Sequence, residues 1–138
     1  MGLEAKKEYP FIIDGRAFTK EELGIKDIQR SVQVLDGKNA GRSLGGDMIR
    51  DMIGVYCNYT ISFDNRIGKE EAYYELFEIL TAPVDFHMVS FPYNNQTLTQ
   101  EMYTTSSKDR LMKFAEKNDN TFTELSVNFI AKKPYKTP

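Results

Sequence analysis

The chain contains one cysteine, Cys57, and one histidine, His87. A cysteine thiol can act as a nucleophile, and a histidine imidazole can act as an acid–base group. A catalytic triad needs a histidine base between a nucleophile and an orienting carboxylate. His87 falls in a predicted strand, and nothing in the sequence indicates a serine or cysteine held in a nucleophile elbow. We therefore interpret His87 as a half-buried or surface residue and Cys57 as a small buried hydrophobe. A single cysteine also excludes an internal disulfide framework and a cysteine-rich zinc site.

A glycine-rich stretch, residues 37–43, is where a phosphate-binding loop could occur. Its order, Gly-Lys-Asn-Ala-Gly-Arg-Ser, matches neither the P-loop nor the GxGxxG pattern. Asp47 and Asp51 have the i, i+4 spacing that could place two metal-binding carboxylates on one helix face. Arg50 stands between them and no third ligand is indicated, so salt bridges on a loop are the better interpretation. The sequence predicts no catalytic residue, no cofactor and no metal site.

The composition is that of one ordinary domain. A chain of 138 residues buries about two-thirds of its unfolded surface, enough to fold without disulfides or metal. The net charge of −2 contrasts with the clear basic excess of nucleic-acid-binding domains. The sequence contains no apolar run near the roughly 20 residues of a membrane helix, and the polar start is not a signal peptide. We expect a soluble, cytoplasmic single domain over residues 1–138, with no membrane contact and no sequence-specific nucleic-acid binding.

Hydrophobic periodicity predicts the strands that position these residues. They are residues 11–13, 25–35, 54–64, 84–91, 96–105 and 122–131. In residues 54–64, the clearest of them, Cys57, Tyr59 and Ile61 share one face. Residues 1–8 are predicted to be a flexible lead-in, and residues 134–138 an extended tail.

One helix is predicted, at residues 69–80. Its apolar stripe has the i, i+3, i+4, i+7 spacing of one helix face and consists of Tyr73, Leu76, Phe77 and Leu80. Residues 110–115 fit either a strand or one helical turn. Together the elements predict an α+β, mainly antiparallel β fold: a β-sandwich or a partly open barrel with one helix packed against a face or an end.

The long glycine-rich loop of residues 37–54 is the unusual part of the chain, with five of its nine glycines. A loop of this length in a compact domain is uncommon and is usually functional or disordered. Its interspersed apolar residues argue against plain disorder, and their spacing also suits a helical turn over residues 47–52. A free monomer gains little from such a loop, so we predict an arm that lies on a neighbouring subunit. The predicted assembly residues are Arg42, Leu44, Asp47, Met48, Arg50 and Asp51.

Four stretches occur in an order that carries a family resemblance. They are SVQVLDGKNAGR (31–42), MIRDMIG (48–54) leading into strand 56–63, EILTAPV (78–84) followed by a strand and Phe91-Pro92-Tyr93, and LSVNFIA (125–131). In this order they resemble small tail proteins of tailed phages and prophages of Gram-positive bacteria. The resemblance implies a tail-tube-like fold that assembles side by side into rings, with residues 37–54 as the loop that reaches adjacent subunits. The sequence departs from a typical major tube protein in having no obvious extra domain and a rather short tail, so a tube, tip or baseplate position stays open.

The resemblance implies a non-enzymatic structural component of a phage or prophage tail, self-assembling or docking onto a tail ring. Its partners would be copies of itself in a ring-like homo-oligomer and other tail proteins. Its location would be the virion tail, after synthesis in the bacterial host cytoplasm.

An alternative is a monomeric small-ligand or peptide-binding β module with a glycine-rich lid. The third hypothesis is an enzyme, whose catalytic groups would be two carboxylates that folding brings together.

Overall fold

The computed structural model describes residues 11–113 and 121–138 and contains strands and two helices. In chain order these are β1 (Phe11–Ile13), β2 (Arg16–Phe18), α1 (Lys20–Leu23), β3 (Ile25–Asp36), β4 (Gly41–Arg42), β5 (Met48–Ile49), β6 (Met52–Phe63), α2 (Glu70–Leu80), β7 (His87–Tyr93), β8 (Gln96–Lys113) and β9 (Thr121–Ala131). The predicted lead-in, residues 1–8, and residues 114–115 of the ambiguous segment lie outside the described residues.

Seven strands form one sheet in the order β2-β1-β7-β8-β9-β6-β3, while β4 and β5 pair separately. Every pairing is antiparallel, and β2 and β3 are the two edges of the open seven-stranded sheet. The α+β, mainly antiparallel fold expected from the sequence is confirmed.

The sheet curls, and its inner face closes on the core. Phe11 of β1 and Phe63 of β6 are four positions apart in the strand order, yet their ring centroids are 5.7 Å apart. Tyr59 of β6 stacks on Phe91 of β7 at 4.3 Å, and its hydroxyl donates to the carbonyl oxygen of Pro92 at 3.0 Å. Strands distant in the order therefore meet across one core, as in a partly open barrel.

The predicted apolar faces form this core. Cys57, Tyr59 and Ile61 are buried on β6, as the alternation predicts. On α2, the predicted stripe faces inward, with Tyr73 and Leu76 buried. The Tyr73 hydroxyl donates to Asp109 Oδ2 at 2.9 Å, and burial together with this bond raises the pKa of Tyr73.

Elements and boundaries differ from the sequence prediction, which lacks strand β2 and begins β6 at 54 and not at Met52. The short helix α1 is an addition: Thr19 Oγ1 accepts from the Glu22 N–H, and the Glu22 carboxylate accepts from the Thr19 N–H. Strand β7 begins at His87 and not at 84, because the chain turns after Pro83. Strand β8 continues to Lys113, since its ladder with β9 extends that far. Residues 110–113 of the ambiguous segment are therefore strand.

Two hairpins extend from opposite ends of the sheet. β6 pairs with β9 only from Tyr59 to Phe63, opposite Phe129 to Leu125. The first half of β6 therefore extends beyond one end of β9, where it pairs with β3. The first residues of β9 extend beyond the end of β6, where they pair with β8. Within the described ranges, no helix is long and apolar enough to cross a membrane.

Candidate assembly surface

The β3–β6 hairpin and its tip form a projection, residues 32–54, which we call the arm. Every residue from 29 to 53 is exposed or half-buried. Leu44 is fully exposed, and the other large apolar side chains of the arm are 36–51% exposed. The arm's exposed apolar residues are Val32, Val34, Leu35, Leu44, Met48, Ile49, Met52 and Ile53. Exposed large apolar side chains concentrated in one projection favour an interaction site.

The arm begins where β6 separates from β9. At this point the Asn58 side chain takes the place of a ladder carbonyl, since its Oδ1 accepts from the Ala131 N–H at 2.8 Å. The Cys57 carbonyl is satisfied by Gln100 Nε2 at 2.8 Å. Side chains therefore complete the backbone hydrogen bonds that the separated strands no longer make with each other.

The C-terminal segment holds the base of the arm. The Val55 N–H donates to the Lys136 carbonyl, and the Tyr135 N–H donates to the Val55 carbonyl, both at 2.9 Å. The Tyr135 and Tyr93 hydroxyls are 2.9 Å apart; this hydrogen bond and burial raise the pKa of Tyr135 to about 12. Gly54 allows the approach, because a Cβ there would lie 2.5 Å from Pro134 Cβ. Residues 134–136 thus act as a short extra strand beside β6.

Beyond Met52, the arm is held by local polar contacts. Arg50 Nε donates to Asp36 Oδ1 at 3.0 Å, and Nη2 lies 3.0 Å from the same oxygen. The Gly37 N–H donates to the Asp51 carbonyl at 2.6 Å, and the Asn39 N–H donates to Asp51 Oδ2 at 3.3 Å. These contacts continue the β3–β6 pairing towards the tip. The predicted helical turn over residues 47–52 is therefore wrong: those residues are extended and pair across the arm.

The tip is the β4–β5 hairpin. Arg42 pairs with Met48 in the ladder, and its Nη1 donates to the Gly46 carbonyl at 3.0 Å. The Asp47 N–H donates to Ser43 Oγ at 3.2 Å, which closes the turn. Gly46 has a φ of 90°, a conformation that glycine adopts without steric cost. Leu44, in this turn, stands fully in solvent.

All six predicted assembly residues lie in this tip or directly beside it. Their placement together follows from the hairpin, but Arg50 and Asp51 make contacts within the arm. Asp36, the partner of Arg50, was not among them. Val34 and Leu35 were also not among the predicted assembly residues. Because they are adjacent, they break the alternation of the strand, and this break indicates apolar side chains on both of its faces.

His87 is not the half-buried or surface residue expected from the sequence. It is 4% exposed, and its Nδ1 lies 2.6 Å from Asp14 Oδ2. Asp14, in the β1–β2 turn, also accepts from the Met88 N–H through Oδ1 at 2.9 Å. This carboxylate therefore joins the turn to β7. Cys57 is fully buried, and burial raises the pKa of its thiol.

Metal-ligating side chains do not cluster in the described part of the chain. There, no group of three or more His, Cys, Asp or Glu side chains could hold a metal ion. Asp47 and Asp51, the two candidate metal ligands, make different contacts. The Asp51 carboxylate accepts from the Asn39 N–H of the arm, and the Asp47 N–H donates to Ser43 Oγ in the tip turn.

The chain was compared with known proteins. No protein-family model matches it. No curated protein matches its sequence. Among solved structures, it is similar to a chain in the tail of an empty GTA particle, computed with helical refinement in C6 symmetry. The identity is 14%, the TM-score is 0.48, and the alignment covers 87% of this chain and 90% of that chain. A likeness at this level does not establish a shared function.

Proposed function

We propose that this protein is a non-enzymatic structural component of a phage or prophage tail, which self-assembles or docks onto a tail ring through its arm. The observation that carries the proposal is the arm itself. Eight large apolar side chains, Leu44 fully exposed among them, lie outside the core that the described residues form. Burying them against a partner would be favourable, at about 25 cal/mol per Å² of apolar surface.

The arm is built as a defined hairpin. Its base is fixed by residues 134–136, and its outer part by the Arg50–Asp36 pair. A preformed element loses less conformational entropy on binding than a disordered loop does. This ordering favours a role in a lasting contact with a neighbour.

The edge of the sheet supports the same conclusion. β3 is an edge strand of 12 residues and carries Val32, Val34 and Leu35, each about half exposed. Long edge strands with apolar side chains pair readily with other chains. We expect the partners to be further copies of this chain and other tail proteins, arranged as a ring, and the location to be the virion tail.

The proposal is tested by light scattering coupled to size-exclusion chromatography over a wide concentration range, with negative-stain imaging of large fractions. Rings or tubes are the expected result. A monomer at every concentration, also after addition of a phage tail-ring protein, would contradict the proposal. That outcome would favour the monomeric ligand- or peptide-binding alternative, with the arm as its lid.

A further inference from the structure

A small apolar cavity opens at the end of the sheet opposite the arm, between α2 and the β8–β9 hairpin. Its volume is about 150 Å³, and it is lined by Tyr74, Phe77, Asp109 and Phe122. The Asp109 carboxylate is already bonded to the Tyr73 hydroxyl at 2.9 Å. Among the residues that the structure describes, the remaining lining is aromatic, so the cavity suits an apolar guest.

The arm carries a side chain of matching size. Leu44 is fully exposed, and Gly45 and Gly46 beside it leave its side chain unobstructed. An apolar protein cavity of about 150 Å³ holds a benzene molecule, a group comparable in size to a leucine side chain. Leu44 can therefore fill this cavity in another copy of the chain.

Arg42 on the tip and the glutamates of α2 carry opposite charges, and the tip turn also holds Asp47. α2 contains four glutamates and no lysine or arginine, and Glu71 and Glu78 share the exposed helix face with Tyr74. Arg42, two residues before Leu44, donates to a carbonyl oxygen and forms no salt bridge within the described residues. Opposite charges flanking an apolar contact fix its orientation.

We propose that Leu44 of one copy inserts into the cavity beside Tyr74 and Phe77 of a second copy, with Arg42 facing Glu71 or Glu78. The inference rests on the proposed function, since it names the partner of the arm. Because the arm and the cavity lie at opposite ends of the sheet, the contact is head-to-tail. A head-to-tail contact repeats into a ring if the rotation closes and into a filament if it does not.

Cysteine pairing tests the contact directly. One preparation carries Leu44→Cys and the other carries Tyr74→Cys, and the two are mixed under mild oxidation. We expect the mixed disulfide in excess over either symmetric one. The wild-type chain, whose Cys57 is buried, is the control and should stay uncrosslinked. A predominance of the Leu44–Leu44 disulfide would overturn the proposal, because it would mean that two arm tips meet.

A second variant measures the contribution of the leucine. Leu44→Asp should raise the concentration needed for assembly about tenfold to a hundredfold. Ile67→Asp is the matched control, since Ile67 is 99% exposed but belongs to neither the arm nor the cavity. Both substitutions are at the surface, so each chain should keep its fold.

The outcomes separate this inference from the proposed function. If rings form, Leu44→Asp assembles like the wild type and no mixed disulfide appears, the Leu44 contact is refuted while the assembly role stands. If the wild type stays monomeric at every concentration, the Leu44 contact is refuted, and if it also binds no added phage tail-ring protein, the proposed function is refuted as well.

Discussion

The Ala131 N–H donates to the Asn58 side chain, and this 2.8 Å bond marks the point where the arm leaves the sheet. Asn58 and Ala131 would be near neighbours in a continued β6–β9 ladder, which ends at Tyr59 and Phe129. The side-chain bond satisfies a buried donor at the separation. It thereby allows β6 to continue with β3 beyond the end of β9.

Asn58→Ala should destabilise the protein, because it leaves the Ala131 N–H buried and unpaired. The expected loss is about 1–3 kcal/mol of unfolding free energy, measured by urea denaturation. Asn128→Ala is the control: Asn128 is half-buried and accepts only from the Thr60 hydroxyl in the described structure. Equal losses for the two variants would show that Asn58 has no special role at the separation.

Gly54→Ala should release the C-terminal segment from the arm. Its Cβ would meet Pro134 Cβ at 2.5 Å, so residues 134–136 must shift and the Val55 backbone bonds weaken. Limited proteolysis should then cut the C-terminus faster than in the wild type. Gly45→Ala is the control, since the nearest atom to its Cβ is Ser43 Oγ at 3.9 Å. Unchanged proteolysis of Gly54→Ala would contradict the role of residues 134–136.

The stability that Glu22 contributes to the protein should be lost in acid. Its pKa is lowered, first by the hydrogen bond from the Thr19 N–H and then by the nearby Arg16 guanidinium. A lowered pKa gives stability that is present above the unfolded value of 4.5 and is lost as the pH falls through the folded value. Wild type should be more stable than Glu22→Gln at pH 6, and the difference should disappear by about pH 3. A difference independent of pH would assign the effect to packing.

Arg50→Ala should leave the fold intact but weaken assembly. The Arg50–Asp36 pair is partly exposed, so its loss should change the unfolding free energy by less than about 1 kcal/mol. The tip would nevertheless lose a contact that sets its direction. Lys26→Ala, which removes another exposed pair on β3, is the control for assembly measured by light scattering. An unchanged oligomer distribution for Arg50→Ala would count against the arm.

The elements with clear local periodicity were predictable from the sequence. The alternation around Tyr59 and the stripe through Leu76 identify buried faces without knowledge of the fold. Helix α1 is only four residues long, but the Thr19 and Glu22 pair is a readable capping box and could have found it.

Contacts between distant parts of the chain could not be predicted. His87 is buried in the folded sheet, where the pairing of β1 with β7 also brings Asp14, 73 residues earlier, beside it. The Arg50–Asp36 pair depends on the β3–β6 register, which residue types alone do not specify. The glycines mark residues 37–54 as unusual in the sequence. That this segment is an ordered hairpin follows from hydrogen bonds across the two strands.

Hydrogen–deuterium exchange on separated monomer and assembled fractions tests the central claim most directly. The account predicts that amides in residues 32–54 exchange at least about tenfold more slowly in the assembly, because a neighbour covers the arm. Core amides on β9 should exchange equally in both fractions. If the arm exchanges at the same rate in both while another surface becomes protected, the arm is not the assembly surface.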